Sequence, residues 1–173
     1  MKHLNIEIKA RCLQTARIHT ILKERGADFK GIDHQIDTYF KVNHGRLKMR
    51  EGNIENALIH YHRPDQAGPK KSEVLLYHSN PELGLKDVLA AANGILCVVD
   101  KKRAIYFIEN VKFHLDEVEK LGSFVEIEAI DKDGSFDEQQ LLQQCNSYLK
   151  LFSIQEKDLI DQSYSDLLMQ MHH

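Results

Sequence analysis

The chain has 173 residues, a formal net charge of −3 and 28% charged residues. This length fits a single domain over residues 1–173 with a real hydrophobic core, and it leaves too little chain for two independent domains. Because the charge is nearly balanced, we expect neither general nucleic-acid binding nor membrane binding.

The three cysteines and the N-terminus bear on the compartment. Cys12, Cys97 and Cys145 are odd in number, far apart and free of any CxxC or zinc-site spacing, which predicts buried thiols in a reducing environment. The chain enters its first strand without an apolar leader, and no apolar run is long enough to span a bilayer. We therefore expect a cytoplasmic protein.

Residues 3–12 open the first strand, because apolar and polar side chains alternate there. A helix is predicted over 15–25, with Thr15 as its cap and Gly26 as its stop. Strands then follow at 34–42, 45–51, 56–64 and 72–78, and a helix begins near Pro81 and runs to Gly94. Further strands are predicted at 95–109, 111–118 and 123–131, and two helices, separated near Ser153, fill 137–171.

Strands that follow one another through tight turns pair antiparallel, and here only a few helices interrupt them. This order predicts an α+β fold, an eight-stranded antiparallel β-barrel with helices packed outside. A closed barrel has an interior, so each strand must turn one of its two faces inward.

Charged side chains recur on single strand faces, and a basic triplet, a basic pair and an acidic pair among these sets each keep one sign. The sets are Glu7 and Lys9 beside Asn5; Arg46, Lys48 and Arg50; Lys101 and Arg103; Lys112, His114 and Asp116; and Glu126 and Glu128. Neighbours on one face lie roughly 6.5–7 Å apart, so like charges repel. Any one set taken alone is typical of a solvated surface. Taken together, the sets favour a charged barrel interior that binds a ligand.

Converging basic side chains suit a polyanion with several oxygens, such as a chain of phosphates. The carboxylates would repel that anion, but they suit Mg²⁺ or Mn²⁺, which bind carboxylates together with substrate phosphates. A cation between Glu7, Glu126, Glu128 and the phosphates reconciles the two sets. The sequence has no phosphate-binding glycine loop, so side chains would hold the phosphates.

Seven segments carry a resemblance to a known family: IEIKAR, HQIDTYF, GRLKMRE, YHRPD, VVDKKRAIY, HLDEVEKLGSFVEIE and SYSDLL. In this order and at these intervals they resemble the CYTH superfamily of triphosphate tunnel enzymes, most of all its class IV adenylyl cyclase-like branch. The resemblance covers nearly the whole chain. It implies an eight-stranded barrel whose tunnel binds triphosphates with divalent cations.

The resemblance and the shared strand faces together give the expected site. We expect triphosphate to be bound by Lys9, Arg46, Lys48, Arg50, Arg63, Lys101, Arg103 and Lys112. The expected metal ligands are Glu7, Glu126, Glu128 and Asp116. Tyr39 and Lys9 are the expected catalytic residues. Tyr39 either orients the attacking group, with nearby lysines lowering its pKa, or only fills the barrel.

Two positions depart from the family's pattern. Asn5 stands at the first position of an ExExK signature, which removes one charge from the metal site. His62 stands where many relatives have a lysine, which weakens any lysine-assisted mechanism. His34, His44 and His60 have no metal-site spacing and are interpreted as structural or exposed.

Two reactions and one binding role fit this sequence. The cyclase-like branch would convert ATP into cyclic AMP and pyrophosphate, whereas a triphosphatase would hydrolyse thiamine triphosphate, inorganic triphosphate or a nucleotide. A non-catalytic binder of triphosphate or polyphosphate is the third possibility, suggested by Asn5 and His62. We expect a small-molecule triphosphate as the partner, and a homodimer as the commonest association for enzymes of this size.

Overall fold

The computed structural model describes residues 2–80 and 84–172, and side chains from residue 4 onward within these ranges. The strands are β1 (Lys2–Arg11), β2 (Asp28–Phe40), β3 (Arg46–Glu51), β4 (Ala57–His62), β5 (Lys70–His78), β6 (Ile95–Ile108), β7 (Val111–Val118) and β8 (Gly122–Asp131). The helices are α1 (Thr15–Glu24), α2 (Leu85–Asn93), α3 (Glu138–Leu151) and α4 (Tyr164–Gln170), and a 3₁₀ turn covers Glu156–Asp158.

The strands form a closed antiparallel barrel in the order β1-β5-β4-β3-β2-β6-β7-β8, and β8 pairs with β1 to close it. The predicted eight-stranded barrel with outside helices is therefore confirmed. The register of β1 brings residues far apart in sequence side by side, with Lys9 opposite Glu126 and Glu7 between Glu128 and Lys70. Closure thus turns the polar face of β1 toward the polar faces of β5 and β8.

The main hydrophobic core lies between the barrel wall and two helices, rather than inside the barrel. Ile18 and Leu22 of α1 and Leu141 and Cys145 of α3 pack on apolar side chains of the wall. The wall residues are Ile6, Ile8, Ala10, Ala104, Tyr106, Val111, Phe113, Leu115, Val125, Ile127 and Ala129. Because strand side chains alternate, this outward apolar face leaves the polar face of the same strands pointing inward.

A second apolar cluster joins α4 to the barrel. Tyr164 and Leu168 of this helix pack with Val99, Val118 and Phe124. Ser163 caps α4, since its Oγ accepts a hydrogen bond of 3.1 Å from the Asp166 backbone N–H. The closing helix therefore begins at Tyr164.

Several predicted boundaries were wrong. β2 begins at Asp28 and not at residue 34. Its pairing with β6 shifts by one residue between Phe29 and Gly31, where Gly31 has a φ of +118°, and this bulge allows the two strands to stay paired as far as Asp28. Thr15 is the first helical residue of α1, and the N-cap, Gln14, makes no capping side-chain hydrogen bond. The predicted helix start near Pro81 lies outside the described residues.

The cysteines also differ from the prediction. Cys145 is buried, but Cys12 and Cys97 are only half-buried, and all three thiols are free. Burial raises the pKa of the Cys145 thiol to about 12, which keeps it protonated and chemically inert. None of the described helices has the length and apolar character needed to cross a membrane.

Candidate functional site

The barrel encloses a cavity of about 130 Å³ that is lined mainly by charged side chains. Its basic residues are Lys9, Lys48, Arg50, Arg63, Lys101, Arg103 and Lys112, and its carboxylates are Glu7, Glu55, Glu126 and Glu128. Most of the expected site residues are thus brought together from six strands and from the loop after β4. Charged groups of both signs converge in this cavity, and each basic group is held by a neighbour described below.

Asp37 on β2 is the counter-ion for three cations. Arg50 donates to both of its oxygens at 2.9 Å, Lys48 donates at 2.9 Å and Lys101 donates at 2.7 Å. Burial by itself would raise the pKa of Asp37, but the charges of these cations hold it well below its usual range. The carboxylate therefore stays ionised and fixes the three basic side chains in place.

Asp116, an expected metal ligand, serves Arg103 instead. Arg103 donates to both Asp116 oxygens at 2.7 Å, and the Tyr164 hydroxyl donates to one of them at 2.7 Å. Burial opposes the ionisation of Asp116, yet Arg103 lowers its pKa to about 2. Asp116 is absent from the cavity lining, and both oxygens already have donors. The arrangement positions Arg103 rather than a cation.

The acidic group on β1 and β8 has few counter-charges. Glu7 is paired with Arg63, and the Lys9 ammonium lies 3.6 Å from Glu126. The Asn5 amide donates a hydrogen bond to Glu128, and Asn5 Oδ1 has no partner among the described residues. Burial, together with the charges of Glu7 and Glu126, raises the pKa of Glu128. Such a cluster of oxygen ligands is poorly compensated by protein groups alone.

His114 on β7 faces the same carboxylates. Its side chain is 2% exposed, and its Nδ1 lies 3.7 Å from Glu126 Oε1, beyond hydrogen-bond distance. Neither ring nitrogen has a hydrogen-bond partner among the described residues. Burial lowers the pKa of His114 to about 3, with Arg103 adding to the effect. The ring is therefore neutral at physiological pH. Sequence reasoning placed His114 on the charged face but gave it no role.

Lys9 is a basic residue of the cavity whose pKa is lowered toward neutral. Burial lowers its pKa to about 8, although the neighbouring charge of Glu126 opposes this effect. Lys9 also lies over the Tyr164 ring, 4.0 Å from its centre. A lysine that loses its proton near this pH can exchange protons as well as bind anions.

Glu55 is a cavity residue that sequence reasoning missed. It lies in the turn between β3 and β4 and accepts a hydrogen bond of 2.5 Å from Lys112. Burial opposes its ionisation, but Lys112 and Arg50 lower the pKa of its carboxyl group. A turn residue has no strand periodicity, so no pattern in the sequence could assign it to the interior.

Asp33 holds the Glu55 turn in place. Its carboxylate is fully buried and accepts hydrogen bonds of 2.9 Å from the backbone N–H groups of Ile54 and Glu55. Gly52 is needed at the start of this turn, since a Cβ there would lie 2.6 Å from Asp33 Oδ1 and 2.7 Å from the Glu55 carbonyl. A buried side chain on β2 thus directs Glu55 toward Lys112.

Tyr39 lines the cavity, but its environment is opposite to the predicted one. Burial raises the pKa of Tyr39 to about 12, and the charge of Asp37 adds to the effect. The expectation that nearby lysines lower this pKa was wrong, because Lys48 and Lys101 are already neutralised by Asp37. Tyr39 therefore remains a hydroxyl that can donate a hydrogen bond at neutral pH.

Two positions singled out in the sequence, Arg46 and His62, lie outside the cavity. Arg46 is absent from the cavity lining and pairs with Asp166 at 2.7 Å and Asp65 at 3.3 Å. His62 is exposed at the end of β4, whereas Arg63 lines the cavity. The departure at position 62 therefore changes the outer surface, and Arg63 provides the positive charge inside.

Triphosphate and a divalent cation both fit the chemistry of these residues. Seven basic side chains supply donors for phosphate oxygens. His114, Glu126 and Glu128 each offer one ligand atom, and these three atoms lie within 4.8 Å of one another. The two His114 ring nitrogens and the Asn5 side-chain oxygen have no hydrogen-bond partner among the described residues. Unsatisfied buried polar atoms of this kind are rare unless a ligand completes them. Glu7, Glu126 and Glu128 would hold the cation.

Comparison with solved structures places the fold among known proteins. The PH1012 protein from Pyrococcus horikoshii has 27% sequence identity and a TM-score of 0.79, with 94% of this chain and 98% of that chain covered. A candidate adenylate cyclase from Vibrio parahaemolyticus has 16% identity and a TM-score of 0.76, with 96% and 98% covered. At these identities the likeness concerns the fold.

A third structure has a related description. It is a candidate adenylyl cyclase from Hippeastrum with a dominant triphosphatase activity. Its sequence identity is 16% and its TM-score is 0.62, with 96% of this chain and 93% of that chain covered. No curated protein matches the sequence.

The family comparison covers nearly the whole chain. The model of the CYTH domain matches residues 3–164, a range that includes all of the cavity residues and, apart from Lys2, the eight strands. CYTH proteins typically act on triphosphates and are generally dependent on a divalent metal. The closed barrel, the charged interior and this match agree, and the chain belongs to the CYTH family.

Proposed function

We propose that this protein is a divalent-metal-dependent enzyme that converts ATP into cyclic AMP and pyrophosphate inside the barrel. The observation that carries the proposal is the convergence of seven basic side chains and an acidic cluster on one cavity. Neither set has a structural purpose by itself, since burying so many ions is costly without a ligand. A triphosphate bound together with Mg²⁺ or Mn²⁺ satisfies both.

The positions of the cavity side chains give each set its binding role. Arg50, Lys48 and Lys101 are held by Asp37 on one side of the cavity, and Arg103 is held by Asp116. Because these side chains are already fixed, little conformational entropy is lost when they bind phosphate oxygens. The cation would be held by Glu7, Glu126 and Glu128, and when bound it would neutralise the phosphates and stabilise charge developing during reaction.

An apolar wall beside the charges supports a nucleotide substrate. Ile59 on β4 and Val74 and Leu76 on β5 line the same cavity, and Ile59 lies directly opposite Leu76 in the register of the two strands. An inorganic triphosphate offers nothing for these side chains to contact, whereas a purine base does. This wall is the feature that favours ATP over inorganic triphosphate.

Two residues would take part in the chemistry. In the cyclase reaction the ribose 3′ oxygen attacks the α-phosphorus, its proton must leave, and pyrophosphate departs. Lys9, with its pKa lowered to about 8 by burial, would accept that proton when it is neutral. Tyr39, which stays protonated, would orient an oxygen of the substrate by donating a hydrogen bond. Positioning and electrostatics would supply most of the rate.

Triphosphate hydrolysis is the second candidate. The apolar wall consists of only three aliphatic side chains, and the remaining lining is dominated by phosphate-binding groups, an arrangement that also suits thiamine triphosphate or inorganic triphosphate. The Hippeastrum structure, with its dominant triphosphatase activity, makes this alternative concrete. A silent binder is the third candidate, since Asn5 removes one carboxylate from the metal site.

The partner of this enzyme would be the small-molecule triphosphate itself. We also propose a homodimer in the cytoplasm, on the grounds of size and free thiols given above.

The decisive experiment is a product analysis. The purified protein is incubated with ATP, inorganic triphosphate or thiamine triphosphate, in Mg²⁺ and separately in Mn²⁺, and cyclic AMP, pyrophosphate and orthophosphate are quantified. Equal amounts of cyclic AMP and pyrophosphate support the cyclase. Orthophosphate without cyclic AMP assigns the protein to the triphosphatases, and binding without any product assigns it to the silent binders.

Variants test the metal-binding role. Glu126→Gln and Glu128→Gln should each abolish metal-dependent turnover while the circular dichroism spectrum is unchanged. Glu117→Gln is the matched control, because Glu117 is exposed on β7 and should not affect turnover. Retained activity in either interior variant would show that these carboxylates do not hold the cation.

A further inference from the structure

We propose that His114 is a further protein ligand of the cation, beside the carboxylates, and that it makes the site select a transition metal such as Mn²⁺ over Mg²⁺. This inference rests on the metal-dependent function proposed above and names the cation that the site prefers. It concerns an imidazole, a ligand that the sequence patterns did not assign to the metal.

The register of the barrel places His114 among the carboxylates. On β7 and β8, His114 lies directly opposite Glu126, and Lys112 lies opposite Glu128. One ligand atom each from His114, Glu126 and Glu128 lie within 4.8 Å of one another. A cation with bonds of about 2.0–2.2 Å to nitrogen and oxygen spans such a group after small side-chain movements.

The second observation is the state of the imidazole. The ring is almost fully buried, lines the cavity, and has neither nitrogen hydrogen-bonded among the described residues. Buried polar atoms nearly always have partners, and exceptions call for a bound ligand or a functional reason. The positive charges of the neighbours Arg103 and Lys112 oppose protonation of this ring, so a nitrogen lone pair stays free for a cation.

The ligand type determines which cation is preferred. Mg²⁺ takes oxygen ligands in near-ideal octahedral geometry and keeps several waters, so an imidazole adds little to its binding. Affinity of a mixed nitrogen and oxygen site rises along the first transition series from Mn²⁺ to Cu²⁺. One imidazole added to the carboxylates therefore favours Mn²⁺ and Co²⁺ over Mg²⁺.

The test measures metal binding directly, without nucleotide and without turnover. Mn²⁺ is bound to the wild-type protein and to His114→Gln, and pulsed electron paramagnetic resonance is used to detect coupling of the metal to a nitrogen nucleus. We expect nitrogen coupling in the wild type and its loss in the variant. Because every other histidine is present in both proteins, a difference between them comes from His114.

Affinity measurements with Mn²⁺ and with Mg²⁺ test whether His114 makes the site selective. We expect H114Q to lower Mn²⁺ affinity by at least about tenfold and to change Mg²⁺ affinity by less than about threefold. Absence of nitrogen coupling in the wild type, or an equal loss of affinity for the two cations, would overturn the proposal. His62→Gln is the matched control, since this exposed ring should leave coupling and affinity as in the wild type.

A measurement on the wild type alone covers the case in which H114Q does not fold. With ¹⁵N-labelled histidine, the ring of His114 is recognised as the signal that a soluble paramagnetic agent broadens least, because this residue is only 2% exposed. Zn²⁺ at one equivalent should shift a ring nitrogen of this signal, and an unshifted signal would overturn the proposal. Nitrogen ligation without any turnover would leave this inference standing and reject only the enzymatic function.

Discussion

Replacing Asp37 should weaken the barrel more than replacing any exposed carboxylate. Its oxygens accept four charge-assisted hydrogen bonds from Arg50, Lys48 and Lys101, and three of the four go to Oδ2. In Asp37→Asn the amide oxygen can take the Oδ2 position, but the NH₂ group then faces the Arg50 Nε–H. One donor is left without an acceptor, and all three cations lose their counter-charge.

The magnitude follows from this geometry. Breaking a buried ion pair from one side costs about 3–5 kcal/mol, and we expect D37N to lose this amount of unfolding free energy. A domain is stable by roughly 5–15 kcal/mol, so the variant should still fold. Urea unfolding at pH 7, monitored by circular dichroism, measures the loss. The dependence of the unfolding free energy on urea concentration should be the same in the two proteins.

The matched control lies on the same strand. Asp28 pairs with Lys30 at 2.5 Å, and both side chains are about half exposed or more. Asp28→Asn should cost less than about 1 kcal/mol, as exposed pairs do. If D37N were destabilised by no more than D28N, Asp37 would not be the structural counter-ion that the contacts indicate.

Acid provides an independent check with a definite sign. The charges around Asp37 hold its folded pKa well below the usual range. The stabilisation is therefore fully present above the ordinary aspartate pKa of about 3.9 and is lost as the pH falls through the lower folded value. The stability difference between wild type and D37N should shrink on acidification, and a difference that grew would contradict this assignment.

The remaining predictions concern ligand binding and catalysis. Lys9 has a pKa of about 8, so it loses its charge as the pH rises from 7 to 9. Over this range the affinity for inorganic triphosphate, measured by calorimetry, should fall in the wild type relative to Lys9→Met. A constant ratio of the two affinities would refute this. Tyr39→Phe should leave the pH profile of turnover unchanged, because the phenol does not ionise below a pKa of about 12; a shifted profile would restore Tyr39 as a base. Arg46→Ala should weaken triphosphate binding by less than about threefold, because Arg46 lies outside the cavity in a partly exposed ion pair. Lys101→Met should weaken it by at least about tenfold. Comparable losses in the two variants would place Arg46 in the cavity.

Strand geometry explains why so much of the barrel interior was predictable. Successive side chains point to opposite faces, so the apolar alternation of Ile6, Ile8 and Ala10 by itself assigns Glu7 and Lys9 to the other face. The same rule places the basic residues of β3 and β6 and the carboxylates of β8. These assignments depend only on neighbours along the chain. Lys48, Arg50, Lys101, Arg103, Glu126 and Glu128 line the cavity, whereas Arg46 on β3 does not.

What the sequence alone could not determine is which charges meet. The Asp37 contacts join β2, β3 and β6, and the Arg103–Asp116 pair depends on the register of β6 with β7. Such pairings follow from the closure of the barrel, which no local pattern contains. They are the reason that Asp116 holds Arg103. Burial inside the closed barrel, with the charge of Asp37 adding to it, raises the pKa of Tyr39.

The same limit applies outside the strands. Glu55 reaches the cavity because Asp33 binds the backbone of its turn, and Arg46 is removed from it by Asp65 and Asp166. Alternation along each strand, encoded locally, determined which residues face the tunnel. Only the tertiary structure decided their partners, their burial and hence their protonation, because these depend on contacts between segments far apart in the chain.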